Sequence, residues 1–348
     1  LPILLTVRRN TGGDYRIFKI NGGVSVDLTG LTISNGSVPA SEGGGIYNIG
    51  VLTITNCAVT GNHANGAGGV GNFGTLTMTD STLSGNSANF DGGGLYSFNA
   101  ATTTLTNCTI SGNQAGSSGS GGGAGVYHQA DSGSGSLQII NCTISGNTSV
   151  SNLGGGLTLK TQTSGGTATA TLRNTIIANN SAPNLSTLIA SGGGAATITS
   201  LGNNLASDNG AGLLTQSSDK INTDPQLLPL GNYGGATQTH ALLATSPAVD
   251  AGTNVGAPSN DQRGFARGVD GNGFGAAAYD IGAYEVRPKF VNVATGNDAN
   301  SGATLALAVK TIAHGIAIAD VNGDGWMDVV VSAESDHGYS FISNGDGT

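Results

Sequence analysis

Nine residues near the end of the chain, Asp320 to Asp328 in "DVNGDGWMD", gather the residue types that bind a hard cation. Side-chain oxygens at Asp320, Asn322 and Asp324, the carbonyl of Trp326 and the carboxylate of Asp328 have the spacing of an EF-hand-like calcium loop, with Gly325 at the sharp turn. Val331 stands where an EF-hand needs its bidentate Glu, so a true EF-hand is excluded. The spacing predicts Ca2+ as cofactor. A metal-free, Asx-rich turn is the alternative.

Other chemistry-bearing residues are sparse. Cys57, Cys108 and Cys142 share one register of a repeat, with Ser81 and Thr175 completing the column. Interchange with Ser and Thr predicts small buried residues rather than a disulfide or metal site. Between Gly43 and Ser200 the ionisable candidates are Asp80, Asp91, Asp131, Lys160, Arg173, His63 and His128, which the repeat places on different coils and faces. Of the 21 acids, 12 lie from Asp250 onward. Asp250, Asp261, Arg263, Asp280 and Glu285 are either a catalytic cluster or, as we expect, turn caps and ion pairs that close the end of a solenoid. A glycosidase needs two carboxylates flanking a cleft, and no such pair is visible in the repeats. The expectation is a non-enzyme.

The element that positions these residues is the repeat itself. "GGGIYNIGVLTITNCAVTGN" from Gly43 returns as "AGGVGNFGTLTMTDSTLSGN" from Ala67 and as "GGGLYSFNAATTTLTNCTISGN" from Gly92. Ile46, Val70, Leu95, Val126 and Leu157 align, as do Asn56, Asp80, Asn107, Asn141 and Asn174, at spacings of 24 to 34 residues. Leu52 and Ile54 alternate with Thr53 and Thr55, the period of a strand with one buried face. Three strands per unit, "GIYN", "LTIT" and "CAVT", would bury that face only by stacking on the next unit. The expected fold is therefore all-β: a parallel β-helix of seven to nine coils, with a small C-terminal β segment.

The structural ladder expected at one bend is Asn62, Asn86, Asn113, Asn147 and Asn180, each bonding the next through its amide. Glycines supply positive φ and close approach between coils. Thr53/Thr55, Thr77/Thr79 and Thr104/Thr106 would form an outward lattice, as on some β-solenoid ice-binding proteins, until Gln138/Ile140 and Arg173 break it. Tyr47, Tyr96 and Tyr127 recur one place after the anchor residue and make either a glycan-stacking ladder or a packed column.

Composition agrees. The 348 residues include 60 Gly and only 9 % charged side chains, too few for the solvent faces of amphipathic helices. A formal charge of −9 argues against nucleic acid as a partner. No run of 18 apolar residues suggests a transmembrane segment. Both chain ends read as cuts in a longer polypeptide.

"GGGIYN", "LTITNCAVTGN" and "GGGLYS" resemble the repeats of bacterial extracellular right-handed parallel β-helix proteins of the pectin-lyase-like superfamily, including those of polymorphic outer-membrane autotransporters. The tail from "NTDPQLLPLGNYGGATQTHALLATSPAVDAG" through "DQRGFARGVDGNG" to "YDIGAYE" is similar to the choice-of-anchor Q proteins. The opening "LTVRRNTGGDYRIFKINGGVSVDLTGLTISNG" matches that family's early coils. This resemblance covers residues 1 to about 287. "IAIADVNGDGWMDVVVSA" with "ISNGDGT" resembles one FG-GAP/VCBS-type blade, which implies calcium at Asp320, Asn322, Asp324 and Asp328. The chain then divides into first coils at 1–42, repeat coils at 43–200, a choice-of-anchor Q closing region at 201–287 and a linker plus calcium-binding segment at 288–348.

The resemblance implies an extracellular or cell-surface protein with a structural or adhesive role. Self-association, head to tail into filaments, and envelope or matrix glycans are the expected partners. A polysaccharide lyase or hydrolase is the first alternative and a glycan- or ice-binding module the second.

Overall fold

The computed structural model describes residues 5–10, 12–116, 122–150, 153–162, 165–181, 183–189, 194–272 and 276–287, and the strands Val329–Val331 and Ser340–Ile342. The fold is an all-β parallel solenoid of about seven turns. A single short 3-10 turn, Gly210–Gly212, interrupts the strands among the described residues.

One coil shows the plan. Ile46–Asn48 lies in sheet I, Val51–Thr55 in sheet II, Ala58–Thr60 in sheet III and His63–Gly66 in sheet IV. Each strand pairs in parallel with its equivalents one coil before and after, giving sheets of seven, seven, eight and five strands. Ile46, Val70, Leu95, Val126 and Leu157 stand in register along sheet I. The fourth strand per coil differs from the three expected. After Val38 on the first strand, the same register column holds Ala64, Ala88, Ala115 and Ser149, too small to mark an apolar alternation.

Corners follow from local chemistry. Asn56, Asp80, Asn107, Asn141 and Asn174 turn the chain from sheet II into sheet III with φ between 48° and 52°, a left-handed conformation that Asn and Asp tolerate. At the sheet IV to sheet I corner Gly43 has φ 71°, whereas Gly45 is needed for closeness. A Cβ on Gly45 would lie 2.7 Å from the Gly69 carbonyl oxygen of the next coil.

One continuous core fills the solenoid from Ile20 to Ala206, with Leu52, Ile54, Leu76, Met78, Leu83 and Leu105 wholly buried. Each such side chain contributes about 1.5–3 kcal/mol by leaving water. Leu213 and Leu214 cover the core at its C-terminal end.

Residues 201–287 only partly close that end. Residues 207–222 lie across it, with Lys220 bridging to Leu205. From about residue 223 the chain turns back and lies along the outer side of sheet III. There Ile176, Ala178 and Leu205 join Tyr233, Leu242, Ala248, Ile281 and Tyr284 in a second apolar cluster. This corrects the expectation that the acidic tail closes the end of the solenoid. Three of the strands beneath, Thr82–Ser84, Thr109–Ser111 and Thr143–Ser145, present Thr-x-Ser hydroxyls, and the tail covers them. Near the end of the chain Val329–Val331 pairs antiparallel with Ser340–Ile342.

Candidate functional site

The Asn ladder runs through six side chains. Nδ2 of Asn62 donates to Oδ1 of Asn86 at 2.9 Å, and Asn86 to Asn113, Asn113 to Asn147, Asn147 to Asn180 and Asn180 to Asn184 follow at 2.8–3.0 Å. From Asn62 to Asn180 each Oδ1 also accepts a backbone N–H from the coil before, as Asn113 N to Asn147 Oδ1 at 3.0 Å, while Asn184 Oδ1 accepts from Asn180 N. The second amide hydrogen reaches a carbonyl such as Leu83 O. The ladder is buried apart from half-buried Asn180 and its amides are occupied, so it is structural.

Cys57, Cys108 and Cys142 are free thiols, all buried. Cys57 N donates to Ser81 Oγ at 3.0 Å, Cys108 N to Cys142 Sγ at 3.4 Å and Cys142 N to Thr175 Oγ1 at 3.5 Å. Thiol and hydroxyl play one role here, receiving the N–H that follows the corner residue. Burial raises the Cys57 and Cys108 thiols above their ordinary range, which suppresses thiolate chemistry.

The scattered acids of the coils have local partners. Asp80 accepts from Asn107 Nδ2, Asp91 from Gly122 N and Asp131 from Gln129 Nε2. His63 Nδ1 lies 2.9 Å from Ser87 Oγ on sheet IV. His128 points inward, wholly buried, and burial lowers its pKa.

Tyr47, Tyr96 and Tyr127 do not form a free ladder of rings. Phe73 fills the gap at Gly71, with ring centroids 4.9 Å from Tyr47 and 6.1 Å from Tyr96. Phe98 packs 5.6 Å from Tyr96, and Tyr127 sits 5.3 Å from Tyr96 at 1 % exposure. The rings spend their faces on each other.

The acidic tail is the densest polar constellation, and it faces inward. Asp261, Asp280 and Glu285 are wholly buried. Asp261 pairs with Arg263 at 2.7 Å, and Glu285 with Arg267 at 3.3 Å. Glu285 also accepts from the backbone N–H groups of Gly268, Val269 and Asp280, while Asp280 accepts from those of Asp250 and Val286. Burial pushes the Asp280 and Glu285 carboxyls upward, against the pull of these donors. Arg263 lies over the Tyr284 ring at 3.6 Å.

Sequence reasoning missed what this network holds. Arg267 Nη2 donates to Asn107 Oδ1 at 3.0 Å, and Asn107 Nδ2 to Asn260 O at 2.8 Å. Gln262 is the hub of the seam. Its Oε1 accepts from Thr109 Oγ1 at 2.6 Å, and its Nε2 donates to Thr82 Oγ1 and Thr237 Oγ1 at 3.0 and 2.9 Å. Thr82 Oγ1 also donates to Gln238 O. His240 donates from Nδ1 to Leu228 O at 2.7 Å, which leaves Nε2 to accept from Ser111 Oγ at 2.9 Å. Further along, Thr143 Oγ1 accepts from Ala283 N, and Asn174 meets Thr253 and Gly282. The tail is thus fastened to four successive coils.

The calcium-loop residues Asp320, Asn322, Asp324, Trp326 and Asp328 lie outside the described residues. Among the described residues no group of three or more His, Cys, Asp or Glu is placed to hold a metal, and no helix is long and apolar enough to cross a membrane.

No protein-family model, no curated protein and no solved structure matches the chain.

Proposed function

We propose that the chain is a rigid structural or adhesive rod segment of the cell surface or extracellular matrix, in which the tail straps neighbouring coils into one mechanical unit. The observation that carries this reading is the seam from Asp80 to Asn174. Thr237 bonds Asp80, Gln262 bonds Thr82 and Thr109, Arg267 bonds Asn107, Ala283 bonds Thr143, and Thr253 bonds Asn174. Solenoid coils touch only their neighbours and separate in sequence under load. A strap bonded across several of them opposes that. The tail carboxylates support a non-catalytic role, since each accepts structural hydrogen bonds.

The oxygen donors of Asp320, Asn322, Asp324, Trp326 and Asp328 suit Ca2+, which would stiffen the segment beyond the solenoid. Residues 207–222 and Leu214 lie across one end of the core, which disfavours strand addition by another copy at that end.

The test is immunolabelling of intact producing cells, with protease shaving as the companion measurement. Surface label on a protease-resistant fragment of the size of the solenoid is expected. Confinement inside the cell, or depolymerisation of an acidic polysaccharide by the pure chain, would refute the proposal.

A further inference from the structure

The outer side of sheet II carries a regular grid. Val51, Thr53 and Thr55 stand in register with Thr75, Thr77 and Thr79 on the next coil, and those with Thr102, Thr104 and Thr106 on the third. The only position of this three-by-three grid that is not Thr holds Val, a side chain of nearly the same shape. Beneath it Leu52, Ile54, Leu76, Met78 and Leu105 are wholly buried, so core packing fixes the backbone of the grid. None of the grid hydroxyls is engaged by another protein group among the described residues. Beyond a Ser136/Gln138 rung, Thr169/Thr171 and Thr197/Thr199 resume two of the columns.

The spacing is set by the fold. Rungs repeat every ~4.8 Å across the sheet, and outward residues every ~6.6 Å along a strand. β-Branched side chains are stiff at χ1, so hydroxyls and methyls hold a fixed pattern with little entropy left to lose on binding. The rung repeat is near an oxygen spacing in hexagonal ice.

Charge and side-chain type select the occupant. The grid has no ionisable residue in a chain of net charge −9; Asp27 stands on the preceding rung and Arg173 two rungs beyond. It also has no Trp, Tyr or Arg, the side chains that anchor protein partners, and no aromatic ring on which a sugar could stack. A neutral, periodic lattice matches a neutral, periodic surface. We propose that the outer face of sheet II binds the surface of ice.

The full 348-residue chain is tested by slow growth of polycrystalline ice in its dilute solution, reading the fraction of protein incorporated. Wild-type protein should enter the ice. Thr77→Tyr, which raises a bulky ring from the centre of the grid, should be excluded like an inert globular protein, with circular dichroism and melting unchanged. Thr104→Asp carries the same expectation should Thr77→Tyr fold poorly. Gln114→Tyr, on exposed sheet IV surface, should leave incorporation unaltered. Exclusion of the wild type from ice, or equal incorporation of wild type and both grid variants, overturns the proposal. So does retention on an insoluble neutral polysaccharide that Thr77→Tyr abolishes while ice is ignored.

Discussion

Asn113 and Asn147 are joined twice: Nδ2 and the backbone N–H of Asn113 both reach Oδ1 of Asn147, at 2.9 and 3.0 Å. Asn86 makes the same pair of contacts to Asn113. Replacing Asn113 by Ala removes the acceptor of one coil and the donors to another, leaving several buried groups unsatisfied. Each costs about 1–3 kcal/mol, so Asn113→Ala should lose about 2–5 kcal/mol in denaturant unfolding. A loss below about 0.5 kcal/mol, the range of an ordinary surface substitution, would show that the ladder is incidental.

Arg267 is buried against Glu285 and reaches Asn107 on the solenoid. Arg267→Leu leaves the Glu285 carboxylate without its cation and should destabilise by about 3–5 kcal/mol. Restoring neutrality with Glu285→Gln in the same chain should recover part of that loss, because the uncompensated charge is its main source. A double variant that unfolds as readily as Arg267→Leu alone would place the effect in packing instead.

The His240 seam gives a pH dependence of defined sign. Burial lowers the pKa of His240 from its ordinary 6.5. The folded state therefore favours the neutral ring. Its contribution is complete above pH ~6.5 and is lost as pH falls from there toward the lowered folded value. Hydrogen exchange of the tail should accelerate on going from pH 7.5 to about 5 after correction for intrinsic rates, and His240→Gln should blunt the change. Asp280 and Glu285 act in the opposite sense. Their raised carboxyls favour folding at low pH, and that contribution is lost as pH rises through the raised values.

Calcium affinity tests the loop at Asp320 to Asp328. Titration of the metal-free chain should give one saturable heat, and Asp324→Ala should abolish it, since each carboxylate supplies both a ligand and a charge. A flat titration in the unaltered chain assigns the residues to an Asx-rich turn.

The coils were legible because their chemistry is local. Leu52 and Ile54 alternate with Thr53 and Thr55, and a slip of one residue would turn the core outward. Sheet IV was hidden by inward residues as small as Ala64 and Ala88. The course of the tail was hidden for a different reason. Thr82, Thr109, Ser111 and Thr143 flank the core residues Leu83, Ile110 and Ile144 with the polar alternation of a solvated strand face, yet they are buried beneath residues more than 100 positions away. One signal was present. Ile176 and Ile177 are apolar neighbours on a strand, so both faces must be covered, and Ile176 packs against the tail while Ile177 enters the core.

On the proposed role, the tail makes one mechanical unit of the coils between Asp80 and Ala178. Native-state hydrogen exchange, resolved along the chain, tests it most directly. Sheet II and sheet III amides of these coils should share a single opening free energy. Gln262→Ala, which cuts the hub to Thr82 and Thr109, should lower it for all of them together. Protection that declines coil by coil toward the ends and ignores Gln262→Ala would show that the coils open independently of the tail.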